Sequence, residues 1–380
     1  MLNDAMTPHT DSTTTHELPP FGRFFLPGPT EILPEILAAQ VGPMMGHRSA
    51  DMEALMARIQ PGLKTVFRTE RPVYVSASSA TGLMEAAIRN GARRRVLCLT
   101  NGAFAERFHR IALATGLEAD ALDVGWGGVH TPERLEAALR GNDYDAVTVV
   151  HSETSTGVLN PIRELAAVAH AAGDVTILVD TVSSMAGAPV ETDAWGLDVV
   201  LTGSQKCFAL PPGLAFAVAQ EPVLERAESK ADRGIYFDFL EFERNIRKNQ
   251  TPNTPAVSLF YALAAQLERI ERETVEGRWA RHEAMAHRVH AWVDEMRDRG
   301  IGLEIVAPEG YRSPTVTCIR VPEGWTGSRL CAAAKERGYT VAPGYGKARD
   351  EMFRIGHMGD HTVDEVEALL AALEEALWEG

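Results

Sequence analysis

The 380-residue sequence lacks several features that mark other protein classes. No apolar run approaches the roughly 18 residues that a membrane-spanning helix requires. Its first strand-to-helix turn, SASSATG, is not the GxGxxG turn that a nicotinamide-binding dehydrogenase would want. Cysteine is scarce and forms no CxxC pair, so we expect reduced thiols, no disulfide and no metal site. The four cysteines are Cys98, Cys207, Cys318 and Cys331.

Basic residues are also fewer than acidic ones, which gives a formal net charge of −15. The resulting field repels phosphates, which argues against binding to nucleic acid or to anionic membranes. Any anionic ligand must then be held by a local cationic pocket. Residues 1–20 are rich in Thr, His, Asp and Pro and have no apolar signal-peptide core, so we expect a disordered leader and a cytoplasmic protein.

Apolar strands alternate with amphipathic helical stretches from about residue 73 onward, which predicts an α/β fold with a mostly parallel sheet. A chain of this length, with 45% hydrophobic residues, is expected to form two domains. We place the large α/β domain at residues 21–265 and a small α+β domain at 266–380. An amphipathic stretch from Leu259 to about Arg299, with almost no breaker inside, is expected to connect them.

The strongest chemical signal is Lys206, in GSQKCFALPPG directly after an apolar strand. A lysine at the crowded rim of a sheet can lose its proton and form a Schiff base with an aldehyde cofactor. Asp180 ends the buried-looking strand ILVD, where a carboxylate needs a cation or a donor. A protonated pyridinium nitrogen is such a partner, although the aspartate could equally cap the next segment. For Lys206 the alternative is an ordinary surface lysine.

Other candidates follow neighbouring strands. Ser79, Ala80 and Thr81 lead into a helix and predict a phosphate site at its amino end, with simple helix capping as the alternative. Phe104 could stack on a flat heterocycle or belong to the core. The segment HSETSTG, residues 151–157, supplies a polar cluster. Arg354 suits a bidentate grip on a carboxylate, or else a structural ion pair.

Taken in order, these segments resemble the class V aminotransferases, and most closely their alanine–glyoxylate and serine–pyruvate branch. The resemblance covers nearly the whole chain after residue 22. It rests on FFLPGPT, MMGHRSADM, VSASSATGLMEAA, TNGAFAERF, HSETSTGV, LVDTVSS, GSQKCFALPPG, TPNTPAVSLFYAL and RIGHMG. It implies the fold of fold-type I pyridoxal-phosphate enzymes, with a seven-stranded sheet in the large domain.

The resemblance also implies roles for individual residues. Lys206 is similar to the Schiff-base lysine and Asp180 to the pyridinium partner. Further positions resemble a phosphate cup (Ser79, Ala80, Thr81 and Gln205), ring-stacking residues (Phe104 and Val182), a residue at the ring hydroxyl (Ser155) and a carboxylate clamp (Arg354 with the backbone of Pro27 and Gly28). Phe104 stands where a Trp or His is frequent, and Ala80 and Thr81 replace a Gly and a His.

In this family each site is completed by the neighbouring subunit, so a homodimer is implied. The segment from Gln250 to Thr254, with Asn253 inside it, resembles the part that crosses to the partner's phosphate. The implied reaction is a ping-pong transamination from a small L-amino acid, alanine or serine, to glyoxylate or pyruvate. Lys206 would also act as the proton shuttle.

Other functions on the same fold remain open. His47 and Arg48 could bind a second anion, which would suit a phosphoserine or 2-aminoethylphosphonate transaminase, or they could form a structural turn. A cysteine desulfurase would need a mobile cysteine, and Cys318 and Cys331 lie on a predicted strand and helix. A catalytically inactive, cofactor-binding regulatory subunit would be expected to lack Lys206, Asp180 or Arg354.

Overall fold

The computed structural model describes residues 20–379. The predicted leader, residues 1–20, therefore lies outside the described residues except for Pro20. The strands are β1 (Tyr74–Ser76), β2 (Arg95–Thr100), β3 (Glu118–Asp123), β4 (Ala146–Val150), β5 (Ser152–Glu153), β6 (Val158–Leu159), β7 (Thr176–Asp180), β8 (Val199–Gly203), β9 (Ala215–Ala219), β10 (Glu304–Ile305), β11 (Thr317–Arg320), β12 (Ala342–Pro343) and β13 (Met352–Ile355).

Helices follow most of these strands, and a short 3₁₀ helix covers Gly346–Ala348. The α-helices are α1 (Pro34–Ala38), α2 (Ala50–Phe67), α3 (Ala80–Gly91), α4 (Ala103–Ala114), α5 (Pro132–Leu139), α6 (Ile162–Ala171), α7 (Glu221–Glu228), α8 (Phe239–Ile246), α9 (Val257–Glu273), α10 (Val275–Asp298), α11 (Gly327–Glu336) and α12 (Val363–Glu379).

Seven strands form one sheet in the order β1-β9-β8-β7-β4-β2-β3. Strands β3, β2, β4, β7 and β8 are parallel to one another, and β9 is antiparallel to both β8 and β1. Every residue of β4, β7, β8 and β9 is buried, which explains their continuous apolar runs. The predicted α/β fold with a mostly parallel seven-stranded sheet is confirmed.

Strand β3 was not predicted from the sequence. Its sequence, EADALD, is acidic, and the strand lies at the edge of the sheet with no residue fully buried. An edge strand that solvent reaches needs no continuous apolar run, so its composition carries little signal.

A second sheet has the order β10-β11-β13-β12 and is antiparallel throughout. It packs with α10, α11 and α12 around an apolar core of its own, which includes Trp292, Ile319, Phe353 and Leu369. Phe25, from the amino-terminal segment, is also buried in this second core. The larger core surrounds the seven-stranded sheet. The exact domain boundary at residue 265 stays a prediction.

The long amphipathic stretch is two helices rather than one. Helix α9 ends at Glu273 and α10 begins at Val275, with Thr274 between them at φ +68°. Positive φ is unfavourable for a β-branched residue, but the Thr274 hydroxyl accepts the backbone N–H of Gly277 at 3.0 Å and so caps α10. Threonine has no breaker signature, which is why the sequence did not predict this break. Over residues 20–379, no helix combines the length and the apolar character that crossing a membrane demands.

Candidate active site

The strand ends converge on one cleft. Because parallel strands end at the same edge of a sheet, the residues that follow β1, β2, β4, β7 and β8 lie together there. The cleft is lined by Ser79, Ala80, Thr81, Met84, Phe104, Arg107, Val150, Ser152, Thr154, Asp180, Val182, Ser183, Gln205 and Lys206. Eight of the residues predicted from the sequence are therefore brought together.

Lys206 is not a surface lysine. It follows β8, its side chain is buried, and its Nζ donates a hydrogen bond to the backbone carbonyl of Pro27. Burial lowers the pKa of Lys206 to about 8, and the positive charge of Arg354 acts in the same direction. An amine with such a pKa has a far larger neutral fraction near physiological pH than an ordinary lysine, and the neutral form can act as a nucleophile or a base.

Asp180 is the last residue of β7 and is 3% exposed. Its Oδ1 accepts the backbone N–H of Val182 at 2.7 Å. Burial raises the pKa of Asp180 to about 7, and the nearby Glu153 acts in the same direction. No cation among residues 20–379 forms an ion pair with Asp180, and the charges of Lys206 and Arg107 only partly offset its burial, so a cation that entered the cleft beside it would stabilise the carboxylate further.

The amino end of α3 opens onto the cleft. Ser79 precedes the first helical residue, Ala80, and its side chain makes no capping bond. Ser79 and Thr81 are both exposed. Simple capping by Ser79 is therefore not what the structure shows. The helix end is available for an anion, because its first N–H groups and its dipole both favour negative charge.

Two apolar side chains, Phe104 and Val182, face the cleft. Phe104 lies in the first turn of α4, and its ring centre lies 5.7 Å from Lys206 Nζ. The carboxylate of the fully buried Glu153 holds this turn by accepting the backbone N–H groups of Phe104 and Ala105 at 3.1 and 3.0 Å. Sequence reasoning assigned Glu153 only to a polar cluster, and its support of Phe104 was missed.

Ser155 does not line the cleft. Its side chain is fully buried; the hydroxyl donates to Glu153 at 2.6 Å and accepts the backbone N–H of Ala103 at 3.0 Å. Its neighbour Thr154 lines the cleft in its place. The two residues differ by one position in a polar segment, and no pattern in the sequence distinguishes them.

Arg354 lies on β13 in the second sheet and is 8% exposed; it is not among the residues that line the cleft, but it contacts Thr154, which is. Its Nε donates to the carbonyl of Pro343 at 3.0 Å, and Nη1 lies 3.4 Å from the carbonyl of Thr154. No carboxylate in the described part of the chain forms an ion pair with it, so the structural ion pair considered above is absent there. A buried cation without a counter-ion is suited to an anionic ligand.

Pro27 and Gly28 lie against the reactive lysine. Pro27 accepts the hydrogen bond from Lys206, and a Cβ on Gly28 would approach Lys206 Nζ to 2.8 Å. Gly28 has φ +104°, a conformation that glycine adopts readily.

A second group of predicted residues lies apart from the cleft of the same chain. His47 and Arg48 are exposed. Arg48 donates to the backbone carbonyls of Thr251 and Pro252 at 2.6 and 3.1 Å and to the Gln250 side chain at 3.3 Å. The guanidinium of Arg48 thus binds the 250–254 segment through these three hydrogen bonds. Within one chain, the structure brings none of His47, Arg48, Gln250, Asn253 and Thr254 into the lining of the cleft.

A family model for class V aminotransferases matches residues 35–367. The chain belongs to the class V aminotransferase family. Enzymes of this family depend on pyridoxal phosphate, and the protein is a pyridoxal-phosphate-dependent aminotransferase. The family, enzyme class and cofactor predicted from the sequence are confirmed.

Individual proteins agree with this assignment. An uncharacterized aminotransferase of Methanocaldococcus jannaschii is 41% identical over 93% of this chain and 92% of its own length. The L-aspartate–glyoxylate aminotransferase of Paracoccus denitrificans is 35% identical over 89% of this chain and 86% of its own. The crystal structure of alanine–glyoxylate aminotransferase from Nostoc sp. is 29% identical and has a TM-score of 0.87, covering 95% of this chain and 96% of that one. The likeness confirms fold-type I.

The cleft of this aminotransferase fits pyridoxal phosphate on the chain's own geometry. A buried amine, a buried carboxylate without a cation, two apolar side chains and an open helix end match the aldehyde, the ring nitrogen, the ring faces and the phosphate of the cofactor. No metal-binding group of three or more His, Cys, Asp or Glu side chains is found between residues 20 and 379.

Proposed function

We propose that Lys206 binds the cofactor covalently and transfers the proton during catalysis. The observation that carries the proposal is a buried lysine, with its pKa lowered to about 8, in the same cleft as a buried aspartate that forms no ion pair within residues 20–379. When bound, pyridoxal phosphate accepts the donor's amino group and draws electrons from the α-carbon. The amine of Lys206 would serve as the base at that carbon.

Asp180 would hold the ring nitrogen in its protonated form. A cation beside the buried carboxylate lowers the free energy of both charges, because each is costly in an apolar site alone. Phe104 and Val182 would contact the two ring faces. The amino end of α3, with Ser79, Ala80 and Thr81, would hold the phosphate, and Gln205 would lie beside it.

Arg354 would hold the carboxylate of the substrate, together with the backbone at Pro27 and Gly28. Guanidinium binds a carboxylate through two parallel hydrogen bonds, which fixes the direction of the α C–H bond as well as the position of the group. This orientation is part of catalysis, since proton transfer requires the C–H bond to be aligned with the base.

The proposed substrates are a small L-amino acid, alanine or serine, as donor and glyoxylate or pyruvate as acceptor, in a ping-pong reaction. Glyoxylate is supported because the names of the Paracoccus and Nostoc proteins both contain it. Their donors differ, however, and the donor must be tested directly.

We also propose a homodimer with shared active sites. The support is the exposure of three large apolar side chains, two of them a few positions before His47: the exposed fractions are 90% for Val41, 79% for Met44 and 85% for Ile235. Apolar surface of this kind marks an association site. Gln250, Asn253 and Thr254, with His47 and Arg48, would complete the cleft of the partner.

The test is a spectral titration of the purified protein, between 300 and 500 nm, with single donors. The parent is expected to show the absorbance of bound cofactor, to lose it with L-alanine or L-serine, and to regain it with glyoxylate or pyruvate. Lys206→Ala is expected to show neither change. A parent that stays colourless after cofactor is added, or that no amino acid bleaches, would contradict the proposed function.

A further inference from the structure

A guanidinium to which the proposed chemistry gives no role also lines the cleft. Arg107 is half-buried on α4, one turn after Phe104, and its Cζ lies 4.8 Å from the centre of the Phe104 ring. Its Nη2 donates to the hydroxyl of Tyr345 at 3.2 Å, and its Nη1 lies 3.4 Å from the hydroxyl of Thr81. Both contacts are with neutral groups.

The charge of Arg107 is not neutralised by the described residues. None of the carboxylates in residues 20–379 forms an ion pair with it. The adjacent Glu106 accepts the indole N–H of Trp126 at 2.6 Å instead. The positive charge of Arg107 also acts on Asp180 in the cleft. It lowers the pKa of Asp180, although burial has the larger effect and raises it.

Tyr345 lies between this guanidinium and that of Arg354. Its hydroxyl contacts Arg107, its ring centre is 5.5 Å from Arg354 Cζ, and the same ring lies 5.3 Å from that of Phe104. Two cations without carboxylate partners among the described residues thus flank one tyrosine, and one of them, Arg107, lines the cleft. In a chain of net charge −15, this local excess of positive charge is suited to a ligand with two anionic groups.

We propose that Arg107 and Tyr345 form a subsite for the side-chain carboxylate of a dicarboxylic amino donor, while Arg354 holds the α-carboxylate. The subsite extends the donor range from alanine and serine to aspartate or glutamate, and it rests on the proposed function. With L-aspartate and glyoxylate, the donor exchanges its amino group and α-hydrogen for the carbonyl oxygen of the acceptor. Oxaloacetate and glycine are formed, without any external oxidant or reductant.

The second anion that Arg107 could serve is the phosphate of the cofactor, because Thr81 belongs to the amino end of α3. The hydrogen bond to Tyr345 favours the substrate carboxylate, since the ring of Tyr345 lies 5.5 Å from Arg354 Cζ and so links the two guanidinium groups. The two roles have different consequences. If Arg107 binds the cofactor phosphate, it contributes to the turnover of every amino donor equally. If Arg107 binds a side-chain carboxylate, it contributes only to the turnover of dicarboxylic donors.

The experiment compares the cofactor-loaded parent with Arg107→Gln. It measures kcat and KM for L-aspartate, L-glutamate, L-alanine and L-serine with glyoxylate, and the dissociation constant of pyridoxal phosphate. We expect kcat/KM for a dicarboxylic donor to fall roughly 10- to 100-fold, mainly through KM, because a charged hydrogen-bond partner is lost. Alanine or serine turnover and cofactor affinity are expected to change less than about threefold.

Two further variants test the assignment. Arg110→Gln removes an exposed arginine from the same helix and is expected to leave all donors unaffected. Tyr345→Phe keeps the ring and removes the hydroxyl. It is expected to lower kcat/KM for the dicarboxylic donors alone, by roughly 3- to 10-fold.

Each result decides between the alternatives. Equal losses for all donors, or weaker cofactor binding in Arg107→Gln, would assign Arg107 to the phosphate and overturn the subsite. A parent that uses alanine or serine but neither dicarboxylic acid would also overturn the subsite and leave the proposed function standing. A parent that uses none of the four donors would refute the proposed function itself.

Discussion

Gly28 lies so close to Lys206 that a Cβ on Gly28 would be 2.4 Å from both Cδ and Cε of the lysine. The two residues are far apart in sequence, yet the backbone of one limits the space available to the side chain of the other. A methyl group at position 28 would have to displace the lysine side chain, because carbon atoms do not approach to this distance.

We therefore expect Gly28→Ala to lose covalent cofactor attachment, measured as absorbance of the bound cofactor. Gly300→Ala is a matched control, since Gly300 has φ +90° and a Cβ added there would meet nothing within 4 Å. Both substitutions are expected to cost roughly 1–2 kcal/mol of stability because of their positive φ. Loss of cofactor in both variants would indicate general destabilisation rather than a local clash.

The lowered pKa of Lys206 predicts how cofactor attachment depends on pH. Only the neutral amine reacts with the aldehyde, so the attachment rate of the apoprotein should rise with pH and level off above about 8. Stopped-flow absorbance would measure this rate. Arg354→Gln should move the midpoint upward, because the Arg354 charge contributes to the lowering. A midpoint near the usual lysine value of 10.5 would show that the buried environment does not act on Lys206 as described.

Asp180→Asn should stabilise the apoprotein while it impairs the enzyme. Burial raises the pKa of Asp180 from 3.8 to about 7, so the unfolded chain binds fewer protons than the folded one between these values, and stability falls as pH rises. The free energy of unfolding of the variant apoprotein should exceed that of the parent by up to about 4 kcal/mol at pH 8, and this difference should vanish near pH 4.

Urea unfolding of the two apoproteins at both pH values would measure this difference. Cofactor affinity should change in the opposite direction, because the neutral amide no longer pairs with a protonated ring nitrogen. A variant that is less stable than the parent at pH 8 would mean that Asp180 already has a favourable charge partner without the cofactor.

Arg354→Gln is expected to raise KM for every donor roughly 10- to 100-fold and to retain the bound cofactor, since the α-carboxylate is common to all of them. Steady-state kinetics with alanine and serine would measure this. Arg349→Gln, at an exposed arginine near the amino end of β13, is the control and should leave KM unchanged. An unchanged KM in Arg354→Gln would remove this residue from the substrate site.

Met44→Asp should convert the proposed dimer to a monomer. A carboxylate placed at this exposed methionine would be buried without a partner in an interface. Sedimentation should show about twice the 41.4 kDa chain mass for the parent and a single chain for the variant, together with weaker cofactor binding. Leu113→Asp, at a leucine that is 49% exposed on α4, should leave the mass unchanged. A parent that sediments as a single chain would contradict the proposed dimer.

The strands that the sequence predicted correctly share one physical property. The strands β4, β7, β8 and β9 are buried on both faces, and such strands carry continuous apolar runs that the sequence displays. Asp180, the last residue of β7, and Lys206, which follows β8, stand out because each polar group interrupts an apolar pattern. These two positions could therefore be assigned to the cleft from the sequence alone.

The residues that the sequence did not reveal depend on contacts between distant segments. Tyr345 and Arg107 are 238 positions apart and meet only because the second sheet packs beside the first. Neither interrupts an apolar run, and an arginine on a helix is usually solvated. Thr154 rather than Ser155 lines the cleft because the Ser155 hydroxyl donates its hydrogen bond to Glu153. This difference arises from packing, and no sequence pattern indicates it.

The reversed strand β9 has a consequence for how the reactive lysine forms during folding. Since β8 and β9 pair as an antiparallel hairpin, the loop that carries Lys206 is closed by neighbours in sequence and requires no long crossover. Pairings of low contact order form faster than distant ones. We therefore expect the Lys206 loop to be organised before Asp180 and Gly28 are brought against it, so that late folding steps complete the cleft around a lysine already in place.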